Sequence, residues 1–240
     1  MNRTRENALK IFLQAKEMPG YSSSWEKHSF NTAFVAERIT KAIIKNGGEL
    51  EFGESVFCDL DNEKVDLAYA AGLLHDIGRC VGIKVGLRHP ILGYELLRKE
   101  KMEKLAQISM THTYYGYKEI NRMEFWEELS EGDMRFTRDY MERVCISDLD
   151  LLIQLADHMG HSMGIMTVSD RFSDILVRHG IRSAGDHLRE LFRIKQYFDK
   201  KAGINIYELF RDEIIRTTMM EPNGVIGTKQ NVTEETEDNL

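Results

Sequence analysis

The chain has little proline, little cysteine and no long apolar run. Its three prolines, Pro19, Pro90 and Pro222, leave most of the 240 residues free to continue helices. Its three cysteines, Cys58, Cys80 and Cys145, are odd in number and widely spaced. With no CxxC pair they indicate neither a disulfide framework nor a thiolate zinc site, and all three read as small apolar filler. No apolar stretch approaches the ~20 residues of a membrane span. Met1-Asn2-Arg3-Thr4-Arg5-Glu6 leads into an amphipathic stretch rather than a signal-peptide core, so a cytoplasmic location and no membrane partner are expected. Excess basic charge is missing too: the net charge is −7. That argues against an extended nucleic-acid partner, which needs a basic face, but leaves room for a small phosphorylated molecule.

What is present is 42% hydrophobic residues in repeated 3.6-residue patterns, the signature of an all-α fold. A first helix fits 4–18 and stops before Pro19-Gly20. A second starts at Ser22-Ser23-Ser24, with Ser23 and Glu26 at capping-box spacing. It runs to about Lys45 with Phe30, Phe34, Ile39 and Ile43 inward, and Asn46-Gly47-Gly48 ends it. A third begins near Asp61 and ends between His75 and Gly78, and residues 79–88 form a loop. His89-Pro90 opens a fourth, with proline at its favoured first position. Residues 101–112 make a fifth. Residues 113–143 read as a helical excursion broken at Glu131-Gly132-Asp133, and 148–158 as a buried helix. Further helices fit 169–179, 183–200 and 205–217. The domain layout expected is an N-terminal helix packed on the core (1–21), a core (22–165), a C-terminal helical extension (166–220) and a disordered acidic tail (221–240).

Four polar residues lie on or near these apolar helices: His28, His75, Asp76 and Asp157. Each alone is weak evidence, since a single histidine or aspartate in such a place is usually a core, cap or ion-pair residue. The adjacent pair in Leu73-Leu74-His75-Asp76-Ile77-Gly78, preceded by His28 and followed by Asp157, is more telling. Buried carboxylates need a partner, and imidazoles with carboxylates suit a divalent cation.

On these residues the chain resembles the HD superfamily of metal-dependent phosphohydrolases over roughly residues 22–165. The resemblance implies an HD-domain helical bundle with extra C-terminal helices, in which His28, His75, Asp76 and Asp157 converge on one metal. It also gives His89 and His112 a role. As isolated residues they read as helix-end capping groups. As counterparts of the extra histidines of binuclear HD branches they would hold a second metal, with Asp76 as the bridge. The cofactor implied is one or two divalent ions, with Fe, Mn, Zn, Mg, Co and Ni undistinguished.

The layout is similar to that of the HD-type symmetrical diadenosine tetraphosphatases: His28, His75-Asp76, His89 with Gly93, His112-Thr113, and Ala156-Asp157. This chain is longer, has an insertion-like stretch at 113–145, and has Arg79 where many HD proteins have lysine. It lacks the double histidine and Gly-Tyr-Pro motif of the cyclic-di-GMP-specific relatives, which disfavours that activity. The reaction expected is hydrolysis of a phosphate ester or anhydride of a nucleotide-like substrate, possibly a dinucleoside polyphosphate. The alternatives are a mononuclear 5'-nucleotidase, a phosphodiesterase, or a non-catalytic nucleotide-binding regulatory module.

Asp76 and Arg79 are the candidate catalytic residues. Arg79, Lys84, Arg88, Thr113 and His161 are the candidate substrate contacts. Arg79, Lys84 and Arg88 read equally as phosphate contacts or as solvated loop cations. His161 would share a face with Asp157 if the helix continued past Gly160. Tyr114, Tyr115, Tyr117, Phe125 and Trp126 read as core or as a base pocket. Assembly as a homodimer is left open.

Overall fold

The computed structural model describes residues 4–53, 60–82, 85–113, 129–179 and 184–219. Lys84, Cys58, the aromatic segment 114–126 and the tail 221–240 lie outside them. The described chain is all-α but for one small hairpin. Its helices are α1 (Thr4–Ala15), α2 (Ser23–Lys45), α3 (Asp61–Leu74), α4 (His89–Lys99), α5 (Glu103–Thr111), α6 (Glu131–Arg143), α7 (Asp148–Asp157), α8 (Val168–His179), α9 (Ala184–Ala202) and α10 (Arg211–Thr218). Short 3-10 turns cover Ile77–Val81, Gly86–Arg88 and Ile206–Phe210. Strands β1 (Gly160–His161) and β2 (Gly164–Ile165) pair antiparallel. No described helix is long and apolar enough to cross a membrane.

The centre is the α2–α3 pair. Ala33, Ala36, Ile39 and Ile43 of α2 meet Ala68, Ala70, Ala71 and Leu73 of α3 in one buried cluster. The small residues let the backbones approach. A Cβ on Gly72 would lie 2.6 Å from the Ala33 Cα, so only glycine fits there. Around this pair stand Leu149, Leu152, Ile153 and Leu155 of α7 and Leu191, Ile194 and Phe198 of α9. Phe12 of α1 stacks on Trp25 with ring centroids 4.7 Å apart. The C-terminal helix α9 is thus part of the same hydrophobic core as α2, α3 and α7, and no second core separates from it among the described residues. Polar ties reinforce the junction. Asp148, at the start of α7, accepts from Tyr197 (2.6 Å), from Lys201 (3.0 Å) and from the Glu51 amide (2.8 Å).

Several local expectations are corrected. The N-cap of α2 is Ser22, whose hydroxyl accepts from the Trp25 amide, rather than Ser23. Glu26 instead pairs with Lys16 and Tyr21. Phe30 is 36% exposed and touches Phe12 edge-on, because it falls on the rim of the α2 stripe. A helix starts at Glu131: Ser130 caps α6 through the Asp133 amide, and Glu131 and Asp133 suit the positive end of the helix dipole; the stretch before 129 lies outside the described residues. Cys80 is buried as expected, whereas Cys145 is exposed.

A candidate metal centre

Four histidines reach the centre from four different elements, oriented in the same way. His75 and His112 sit one residue past the ends of α3 and α5, and His89 follows the 3-10 turn at Gly86–Arg88. Terminal carbonyls of a helix have no onward partner. Each of these rings folds back on one, at i−3: His75 Nδ1 to the Gly72 carbonyl (2.7 Å), His89 Nδ1 to Gly86 (2.7 Å) and His112 Nδ1 to Ser109 (2.8 Å). His28, in the second turn of α2, donates from Nδ1 to the Gly160 carbonyl in the hairpin (2.9 Å). A Cβ on Gly160 would meet Thr32, so glycine lets the hairpin settle against α2 where that carbonyl is in reach. A carbonyl only accepts, so in all four rings the proton is on Nδ1 and the Nε2 lone pair faces the centre.

These lone pairs meet in two pairs. His28 Nε2 and His75 Nε2 are 3.1 Å apart, and His89 Nε2 and His112 Nε2 are 3.2 Å apart. Two acceptors at that distance repel one another unless a cation or a proton lies between them. The carboxylates complete the sets. Asp157 Oδ1 is 3.1 Å from His28 Nε2 and 3.6 Å from His75 Nε2. Asp76 Oδ1 is 3.1 Å from His89 Nε2 and 3.3 Å from His112 Nε2, while its Oδ2 lies 3.9 Å from His28 and 4.0 Å from His75. Two groups have ligand atoms close enough to share an ion: His28, His75 and Asp157, and His75, Asp76 and His112. Asp76 Oδ1 is buried with no hydrogen-bond donor, an orphan that a cation would satisfy. Nitrogen and oxygen donors without thiolate fit a divalent ion. Burial pushes the Cys80 thiol up to about 12, and Cys80 belongs to neither group.

The electrostatics favour the ligand protonation state at Asp76, Asp157, His28 and His89, and oppose it at His75. At Asp76 burial opposes ionisation, but Arg79, His89 and His112 outweigh it and hold the carboxyl well below its usual range. Asp157 is likewise held well below by His28 and His75 against its own burial. Burial and the Arg79 charge push His89 down to about 4, and burial lowers His28. At His75 burial also works against charge, but Asp157 and Asp76 prevail and its pKa is raised.

Of the candidate substrate contacts among the described residues, Arg79 touches the centre, at Asp76 and His89. Its Nε donates to Asp76 Oδ2 at 2.5 Å, one Nη lies 3.3 Å from His89 Nε2, and the side chain is 45% exposed. Arg88 pairs with Asp133 on the surface (3.2 Å). Thr113 follows His112 with its buried hydroxyl unpartnered. His161 is not on the α7 face, because that helix ends at Asp157 and His161 belongs to β1. Its Nδ1 accepts from the Met163 amide (3.2 Å), and its Nε2 lies 3.7 Å from Asp174.

The anchors of the site were hidden in the sequence. Trp25 Nε1 donates to the Asp76 carbonyl (3.1 Å), fixing the doublet from α2. Gln154 of α7 donates to the Thr111 carbonyl (2.9 Å), beside His112. Backbone acceptors carry no residue signature, and only the position of the histidines just past helix ends pointed to them.

An all-α bundle thus brings four inward imidazoles and two carboxylates to one buried point, where they could hold a metal ion. A model of the HD domain matches residues 25–160, more than half of the chain, and spans all six of these residues. The chain belongs to the HD-domain family, whose members bind divalent metals and are generally metal-dependent phosphohydrolases. No curated protein and no solved structure matches it.

Proposed function

We propose that this protein hydrolyses a phosphate ester or anhydride of a nucleotide-like substrate, with a dinucleoside polyphosphate as the leading candidate, on a two-ion centre. The observation that carries the reading is the pair of facing Nε2 couples with Asp76 between them. One carboxylate oxygen is turned to each couple, as a bridging ligand requires. His28, His75 and Asp157 would hold one ion, and His89, His112 and Asp76 the other. Divalent ions there would lower the pKa of a bound water, to ~7 in favourable zinc sites, and neutralise phosphoryl oxygens. Arg79 holds the Asp76 carboxylate with Nε and keeps half its surface toward solvent, where its remaining donors can meet a phosphate.

A mononuclear nucleotidase or phosphodiesterase is the second reading, favoured by one contact. The Arg79 guanidinium already places a positive charge beside His89 and Asp76, where the second ion would sit.

Metal analysis and a panel of phosphorylated substrates with Mn, Fe, Co, Ni, Zn and Mg test both. The two-ion reading expects two equivalents in the wild type, about one in His112→Ala, and in Asp76→Ala a loss of metal with activity lower by ~10³-fold or more. One equivalent, unchanged in His112→Ala, selects the mononuclear reading. Full metal and activity in Asp76→Ala would sink both.

A further inference from the structure

Arg171, in the first turn of α8, has no part in the centre so far described. Its side chain is 11% exposed. One Nη donates to Asp174 Oδ2 at 2.7 Å, while its Nε is buried with no acceptor at all. Asp174 does not need it. Arg178, one turn on, grips both oxygens of that carboxylate, Nε to Oδ1 at 3.1 Å and Nη2 to Oδ2 at 2.6 Å. Two arginines on one buried aspartate leave a surplus positive charge.

That surplus lies beside the centre. Asp174, which holds Arg171, lies 3.7 Å from His161 Nε2, and His161 follows Gly160, whose carbonyl accepts from His28 Nδ1 at 2.9 Å. With Asp157 committed to a divalent ion, its charge does not balance Arg171. A buried N–H left unmade is costly, and a fixed guanidinium suits phosphoryl oxygens better than it suits water. Other groups around it are a neutral His161, whose Nε2 faces Asp174, and the Asn31 amide, which is spent on the His161 carbonyl. No described carboxylate beyond Asp157 and Asp174 is paired with or coupled to Arg171.

We infer that Arg171 is a substrate-binding residue: Asp174 holds its guanidinium at one end, and its free donors receive a phosphoryl oxygen on the Asp157 side of the centre. This rests on the phosphohydrolase reading and adds a second cationic contact to it, across the centre from Arg79. Arg178 is the support that keeps Asp174 neutralised while Arg171 turns to the substrate.

The test compares wild type, Arg171→Gln and Arg171→Lys, each loaded with Mn, by metal content, melting temperature, KM and kcat for p-nitrophenyl phosphate and its bis ester, and affinity for inorganic phosphate by calorimetry. Arg171→Gln is expected to keep its metal and fold, with phosphate affinity weaker and KM higher by ~tenfold or more. Arg171→Lys restores part of both, because it returns the charge but not the planar donors. Unchanged phosphate affinity and KM in a folded, metal-loaded Arg171→Gln overturns the inference. Loss of fold in both variants overturns it as well, by making Arg171 a structural ion-pair partner. The two readings fail separately. A wild type that hydrolyses nothing, yet binds phosphate through Arg171, ends the hydrolase reading alone. An active wild type with indifferent Arg171 variants ends this one alone.

Discussion

His75 faces both carboxylates of the centre, and its raised pKa sets how the site responds to acid. Asp76 and Asp157 stay ionised because each is held well below its usual value, and His89 stays neutral to about 4. His75 is held the other way: against its burial, Asp157 and Asp76 keep its value above the ordinary 6.5. A protonated imidazole cannot ligate, so metal affinity is lost downward through the His75 value and is full above it. Dissociation constants measured from pH 8 to 5 should weaken with release of one proton per ion in the first step. A pH-independent constant over that range would contradict the assignment of His75 as a ligand. At this scale much was legible. An unpartnered histidine or aspartate is costly on an apolar helix, so His28, His75, Asp76 and Asp157 stood out. Trp25 did not, because an indole in an apolar helix reads as core until its acceptor, the Asp76 carbonyl, is known.

The distance between α2 and α3 fixes the distance between His28 and His75. Glycine at 72 sets it, since any side chain there meets the Ala33 backbone. Gly72→Ala should push the helices apart, cost ~1–3 kcal/mol as overpacking does, and lower metal occupancy at the His28–His75–Asp157 set. Thermal melts with metal analysis of the purified variant check this, and a variant with unchanged melting and metal shows that the pair has slack. Helices were readable from their period and caps, but their details were not. Adjacent serines at 22–24 offer three equivalent caps, and the choice of Ser22 depends on where Trp25 must point to reach Phe12 and Asp76. The hairpin at 160–165 is too short to leave a two-residue alternation, yet its Gly160 carbonyl orients His28.

Across the whole molecule the centre joins elements that are far apart in sequence: α2, α4 and α7 carry His28, His89 and Asp157, and His75, Asp76 and His112 follow the ends of α3 and α5. An ion bound only by the folded arrangement stabilises it by mass action. Chelation should therefore lower the melting temperature of the entire domain in one cooperative transition, and re-addition of metal should restore it. Calorimetry showing an unchanged transition after metal removal would count against a centre held by several helices at once. The C-terminal helices were visible as amphipathic stretches. That their apolar faces complete the core of the metal-bearing helices was not, because a helix's own period says which face is buried but not what it is buried against.

The four ring anchors at backbone carbonyls have a consequence for the ions themselves. Many metal-bound histidines lean on a carboxylate, which feeds electron density through the ring and makes it a stronger donor. A neutral carbonyl orients the ring without that push. Ions held by these rings would keep more of their positive charge for the substrate. The ligand orientation thus depends on the backbone at 72, 86, 109 and 160, and at 72 and 160 that backbone sits where it does because the residue is glycine.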